Sequence, residues 1–149
     1  HDRAGRRYPG FPKGYRYLGK DSSHTTIGNS ITATKIGEVI IPGYSISSYL
    51  CVFASVLFAN GPNLFGSTFD LYVGNNANFA TNTKIDTIQL GYGSSGHDIL
   101  SAGDIIAMVA PADYGGNLTT SVYVQLVATN TTADADTISK CQTLLVMGE

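Results

Sequence analysis

From Ile31 to Gly148 the chain repeats one unit: a run with apolar residues at every second position, then a cluster of Gly, Asn, Ser, Asp or Pro. A period of two places alternate side chains on opposite faces of an extended strand, and the small polar clusters turn the chain back. In "STFDLYVG" (67 to 74), Phe69, Leu71 and Val73 share one face, with Asp70 and Tyr72 on the other. "TTSVYVQLVAT" (119 to 129) directs Val122, Val124, Leu126 and Ala128 inward. "ITATKIGEVIIP" (31 to 42) reads as one strand, or two around Gly37, and "KIDTIQLG" (84 to 91) as another. "SYLCVFASVLFAN" (48 to 60) is apolar on both sets: Leu50, Val52, Ala54, Val56 and Phe58, and Cys51, Phe53 and Leu57. That pattern predicts a central strand covered on both sides. "HDILSAGDIIAMVAP" (97 to 111) is expected to break at a Ser101-Ala102-Gly103-Asp104 turn and resume as a buried strand, and "DTISKCQTLLVMG" (136 to 148) is the last strand.

These runs make about eight strands at intervals of roughly 8 to 18 residues, with no long helical period, the pattern of an antiparallel β-sandwich or barrel. The fold class is therefore all-β, and eight strands suit a single jelly roll. An immunoglobulin-like sandwich is the alternative, but the chain has no Trp and no Cys…Trp…Cys spacing. At 149 residues the chain supports one domain with a real core. Its charged fraction, 13 %, is well under the usual figure of about 25 %. Low charge suits a turn-rich β-domain, and it also suits a surface partly covered by neighbours.

The segment before this pattern differs. Residues 1 to 24 are expected to form an extended basic and aromatic arm, with the β-sandwich spanning 25 to 149. Residues 1 to 20 hold six of the nine Lys and Arg against Asp2 alone, a balance of +5; the remaining three bases and ten acids give the rest −7. Pro9 and Pro12, with Gly5, Gly10, Gly14 and Gly19, oppose a helix. Twenty extended residues reach about 65 Å. The rings of Tyr8, Phe11, Tyr15 and Tyr17 call for a surface to lie on. Three uses stay open: docking on another copy of the chain, folding onto its own body, or contacting nucleic acid. The first is favoured, because cations spread this thinly are modest for phosphate binding, whereas Pro and Gly suit an extended strand laid on protein.

No residues announce a reaction. His1, His24 and His97 show no metal-ligand spacing, His97-Asp98 beside Ser94 and Ser95 does not build a triad, and "GYGSSG" lacks the ending of a phosphate loop. Asp134 and Asp136 lack the spaced partners of a calcium loop. No cofactor and no enzymatic activity are expected. Asn117-Leu-Thr and Asn130-Thr-Thr match the glycosylation acceptor pattern. Cys51 and Cys141 are expected to be two buried thiols, with a disulfide as the alternative. The longest apolar run, "YLCVFASVLFA", is too short to span a bilayer, so no membrane partner is expected. "NNANF" and "GYG" offer loop asparagines beside an aromatic ring, so Asn75, Asn76, Asn78 and Tyr92 are candidate carbohydrate-binding residues.

An arm followed by "FDLYVGNN…TKIDTIQLG…ILSAGDIIAMVAP…TTSVYVQLVAT" resembles the single jelly-roll structural proteins of viruses and bacteriophages, of capsid, decoration or fibre-head type. The expected hairpin at 99 to 110 is similar to the last hairpins of trimeric TNF/C1q-like heads, although residues 136 to 148 continue beyond where such heads stop. The resemblance implies a structural subunit located in a virion or other extracellular assembly. Its partners would be copies of itself, as a trimer or larger lattice, or another protein of the same particle. The side chains expected to make assembly contacts are Arg6, Arg7, Tyr8, Phe11, Tyr15, Arg16 and Tyr17. The competing reading is a lectin-like carbohydrate-binding module.

Overall fold

The computed structural model describes residues 16–23, 26–28, 31–43, 49–60, 66–91, 99–114, 120–131 and 137–148. Among them are nine strands: β1 (Arg16–Asp21), β2 (Thr26–Ile27), β3 (Thr34–Ile41), β4 (Leu50–Asn60), β5 (Ser67–Gly74), β6 (Thr83–Leu90), β7 (Ile99–Val109), β8 (Val122–Asn130) and β9 (Ile138–Gly148). They form two antiparallel sheets. The first runs β1-β9-β4-β7, with β2 lying beyond β1 on the same edge of β9; the second runs β3-β8-β5-β6. Each sheet draws strands from both halves of the chain, which is the jelly-roll arrangement expected from the pattern.

The alternating sets meet between the sheets. Leu50, Val52, Val56 and Phe58 of β4, with Leu144 and Val146 of β9, pack against Phe69, Leu71 and Val73 of β5 and Val124 and Leu126 of β8. All eleven are fully buried, and burying side chains of this size contributes about 1.5–3 kcal/mol each before entropy is charged. Polar bonds tie the two sheets at one end of the core. Ser139 Oγ of β9 lies 2.9 Å from Ser67 Oγ of β5 and donates to Asn130 Oδ1 of β8, while Asn130 Nδ2 donates to the Gly28 carbonyl at 2.6 Å.

Two expectations are corrected. The break at 101 to 104 does not occur: β7 pairs with β4 without interruption, from Asn60 opposite Ile99 to Leu50 opposite Val109. Gly103 serves packing and not a turn, since a Cβ there would meet Ile88 Cδ1 at 3.1 Å and Leu90 Cδ2 at 3.2 Å. With no hairpin at 99 to 110, the likeness to the trimeric heads loses the element that carried it. Secondly, among the described residues β4 is covered by a second sheet on one side only. Its second apolar set points away from the core, because the opposite sheet lies on one face alone. Gly91, at φ +82°, carries the chain out of β6 directly over the Phe58 ring, where any Cβ would clash.

Candidate functional site

The uncovered side of β4 sets the site. Antiparallel partners share a face, so the ladder of the first sheet defines rows across its outer surface. Tyr17, Met147, Cys51 and Met108 form one row; Lys20, Leu145, Phe53 and Ile106 form the next. A polar band of Thr143, Ser55 and Asp104 follows, with Ser55 Oγ donating to Gln142 Oε1 at 3.3 Å. Beyond it stand Leu57 with Ala102, then Ile138, Ala59 and Leu100. Six of the large apolar members are 37 % (Phe53) to 75 % (Leu100) exposed, with Tyr17 at 63 %, Ile106 at 65 %, Met108 at 56 % and Ile138 at 44 %, while Leu57, Leu145 and Met147 are half-buried among them. Between Phe53, Ile106 and Leu145 lies a groove of about 250 Å³ that reaches Ser55, Asp104 and Thr143. Scattered apolar side chains on a surface need no explanation; a sheet face built from them does.

The second sheet's outer face is built differently. Gln125 of β8 points outward yet is fully buried, because the loop after β5 folds over it. Gln125 Nε2 donates to Glu38 Oε2 at 3.0 Å and to the Ala77 carbonyl at 2.9 Å, and its Oε1 accepts from Asn82 Nδ2 at 2.8 Å. Tyr72 stacks at a tilt on Phe79, 5.3 Å between centroids, with the Lys84 ammonium 5.9 Å from the Tyr72 ring. Among the described residues, one face is thus closed by polar chemistry and the other is open and apolar.

Of the expected assembly residues, Arg6, Arg7, Tyr8, Phe11 and Tyr15 lie outside the described residues. Arg16 and Tyr17 belong to β1, opposite Gly148 and Met147, so Tyr17 enters the apolar face directly. The far end of β1 is pinned by Asp21. Its Oδ2 accepts from the Glu38 N–H at 2.9 Å, and its Oδ1 accepts from the Ser23 N–H at 3.0 Å and the Ser23 hydroxyl at 2.7 Å. Burial works to raise the Asp21 pKa, but these bonds outweigh it and hold the carboxyl below its ordinary value. Asp21 thereby joins the edge of the first sheet to β3 of the second.

The candidate sugar residues come together in part. Asn75 and Asn76 line an open cavity of about 430 Å³ with Asn82, Asp113 and Tyr114; Asn78 stands in the same loop, and Tyr92 lies outside the described residues. The asparagine side chains are engaged in the loop itself. Asn76 Oδ1 accepts from the Asn78 N–H at 2.8 Å, and Asn78 Oδ1 caps the 3₁₀ turn Phe79–Thr81 by accepting from the Ala80 N–H at 3.1 Å. Asn75 Nδ2 donates to the Ser121 carbonyl at 3.2 Å.

The cysteines are both free and stand on opposite faces: Cys141 is buried inward opposite Val56, and Cys51 lies half-buried on the outer face opposite Met147, which corrects the expectation of two buried thiols. Burial, with the negative Asp21 nearby, pushes Cys141 up to about 12. Asn130, read as a glycosylation acceptor, is buried and donates its amide to the chain, so it is unreachable in the folded protein. Asn117, His1, His24, His97, Ser94, Ser95, Asp98, Asp134 and Asp136 lie outside the described residues. Among the described residues no three His, Cys, Asp or Glu side chains gather as a metal site, and no helix is long and apolar enough to cross a membrane.

No protein-family model matches the chain, and no curated protein matches it either. Solved structures do. The VP2 subviral particle of infectious bursal disease virus is similar over 91 % of this chain and 33 % of its own, with a TM-score of 0.53 and 11 % identity. The chain therefore spans about a third of that protein. A picornavirus capsid protein, from an expanded equine rhinitis A virus particle, matches over 96 % of this chain and 79 % of its own at a TM-score of 0.45 and 12 % identity. A family 35 carbohydrate-binding module from an environmental isolate matches over 88 % of this chain and 92 % of its own at 0.35 and 12 %. The first shows that this chain shares the fold of that part of the VP2 protein, in agreement with the jelly-roll topology; nothing rests on the other two.

Proposed function

We propose that the chain is a non-enzymatic structural subunit of a virion or similar extracellular particle, associating with copies of itself through its N-terminal segment and its sandwich surfaces. The observation that carries this reading is the outer face of the first sheet, where a jelly-roll domain presents Tyr17, Phe53, Ile106 and Met108 to solvent. Water-facing apolar area of that kind is the driving term of protein association. The viral fold likeness supports the setting. Residues 1 to 24 would tie one copy to the next, with the rings of Tyr8, Phe11, Tyr15 and Tyr17 contributing more than Arg6, Arg7 and Arg16, because exposed ion pairs contribute little. Another structural protein of the same particle is the alternative partner.

Light scattering of the purified chain at low and moderate salt tests the reading. A trimer or larger species that survives salt is the expected result, and Tyr15→Ala with Tyr17→Ala should weaken it more than Arg6→Ala with Arg7→Ala. A monomer at both salts would sink it. The polar cavity beside Asn75 and Asn76 favours one second reading, a carbohydrate-binding module. Saturable, competable binding on a glycan array would establish it, and a silent array would remove it.

A further inference from the structure

We infer that the outer face of the β1-β9-β4-β7 sheet packs on the same face of a second copy, about a two-fold axis running along the strands between β9 and β4. The inference rests on the assembly reading and specifies its contact. Its first support is area. The four large apolar side chains exposed in the first two rows of this face leave roughly 450 Å² open, taking about 200 Å² for a fully exposed large side chain. That lies within the ~300–600 Å² of the largest, often functional, patch on a typical monomer and is more than half of the ~800 Å² each partner brings to a stable interface.

The second support is charge. The charged groups in the rows of this face are Lys20, Lys140 and Asp104. Residues 1 to 15 carry Arg3, Arg6, Arg7 and Lys13 against Asp2. A neighbour's basic arm laid here would bring cations to a face with two lysines and one carboxylate. A second copy brings its own Asp104 to Lys20.

The third support is the row geometry. The two-fold axis sets β4 over the partner's β9 and β7 over its β1, with each row facing itself. Phe53 then lies over Leu145, Cys51 over Met147 and Met108 over Tyr17. The Lys20 stem covers Ile106 and its ammonium extends one row to Asp104. Apolar thus meets apolar throughout the first two rows, and the polar band is matched at its edge.

Light scattering across a concentration series, with circular dichroism as the fold control, tests this. Phe53→Asp with Ile106→Asp should raise the dissociation constant at least 100-fold while leaving the fold intact, both side chains being on the outer surface. Asp104→Lys and Lys20→Asp should each weaken association, and the two together should restore it. Cys51 should react with a thiol reagent at least ten-fold more slowly in the assembled wild type than in the Phe53/Ile106 variant. If that variant assembles as the wild type does, or the exchanged pair fails to rescue, this contact is wrong. Loss of assembly only on deleting residues 2 to 15 would leave the assembly reading standing and assign it to the arm. A wild type that stays monomeric at all concentrations overturns both.

Discussion

Replacing Gln125 with Glu tests the account of the closed face with a change of one atom group. Gln125 is fully buried, and its amide nitrogen donates to Glu38 Oε2 and the Ala77 carbonyl while its oxygen accepts from Asn82. Glutamate keeps the shape and the bond from Asn82 but removes both donations. One lost bond to a neutral carbonyl and one to a carboxylate are worth about 1 and 2 kcal/mol. The new carboxylate also faces Glu38 at hydrogen-bond distance, a repulsion of about 5 kcal/mol at an effective dielectric near 20. Much of that is relieved, since Lys35 Nζ already lies 2.8 Å from Glu38 Oε2 and the Glu38 side chain reaches solvent. A net loss of about 3–4 kcal/mol at pH 7 follows, a large share of the ~5–15 kcal/mol stability of a domain. The paired carboxyls titrate higher in the folded variant than unfolded, so the lost stability returns as pH falls and one proton bridges the pair. Urea unfolding followed by tyrosine fluorescence should show the penalty shrinking by about half between pH 7 and pH 4.5. A variant within about 0.5 kcal/mol of wild type at pH 7, or a penalty indifferent to pH, would refute the network as the latch of this loop.

Asp21→Asn should cost about 1 kcal/mol at pH 7, the carboxylate being partly exposed. Because the folded Asp21 pKa lies below its unfolded value, that contribution is present above about pH 4 and fades as pH falls through the folded value; denaturation curves at pH 7 and pH 3 should show the gap to wild type closing, and a constant gap would contradict the role of Asp21. At dilutions where the chain is monomeric, Cys51 should react with a disulfide reagent at pH 8 and Cys141 only on unfolding, its thiol being pushed up to about 12 and buried. Equal rates for the two would place Cys141 wrongly.

What could be read from the sequence follows the range of the forces involved. Phe69, Leu71 and Val73, or Val122, Val124 and Leu126, announce their inward face because a period of two is local. The strand-like segments and the jelly-roll class followed from that. Gly103 misled because a glycine reads the same whether it turns a chain or makes room for a neighbour; only Ile88 and Leu90, brought in by β6, distinguish the two. Gln125 gave no signal, since its partners Glu38 and Asn82 are distant in sequence and meet only when β3, β8 and the loop after β5 converge. The outer face of β4 is the instructive case. Cys51, Phe53 and Leu57 correctly signalled a second apolar side, and the further step, that strands of the sandwich cover this side, did not follow from the pattern. Alternation reports that a face is apolar; it carries no information on which chain covers it. In a jelly roll the opposite sheet reaches one face of β4 only, so an apolar pattern on the second face of this central strand predicts what the face is made of and not that the sandwich buries it.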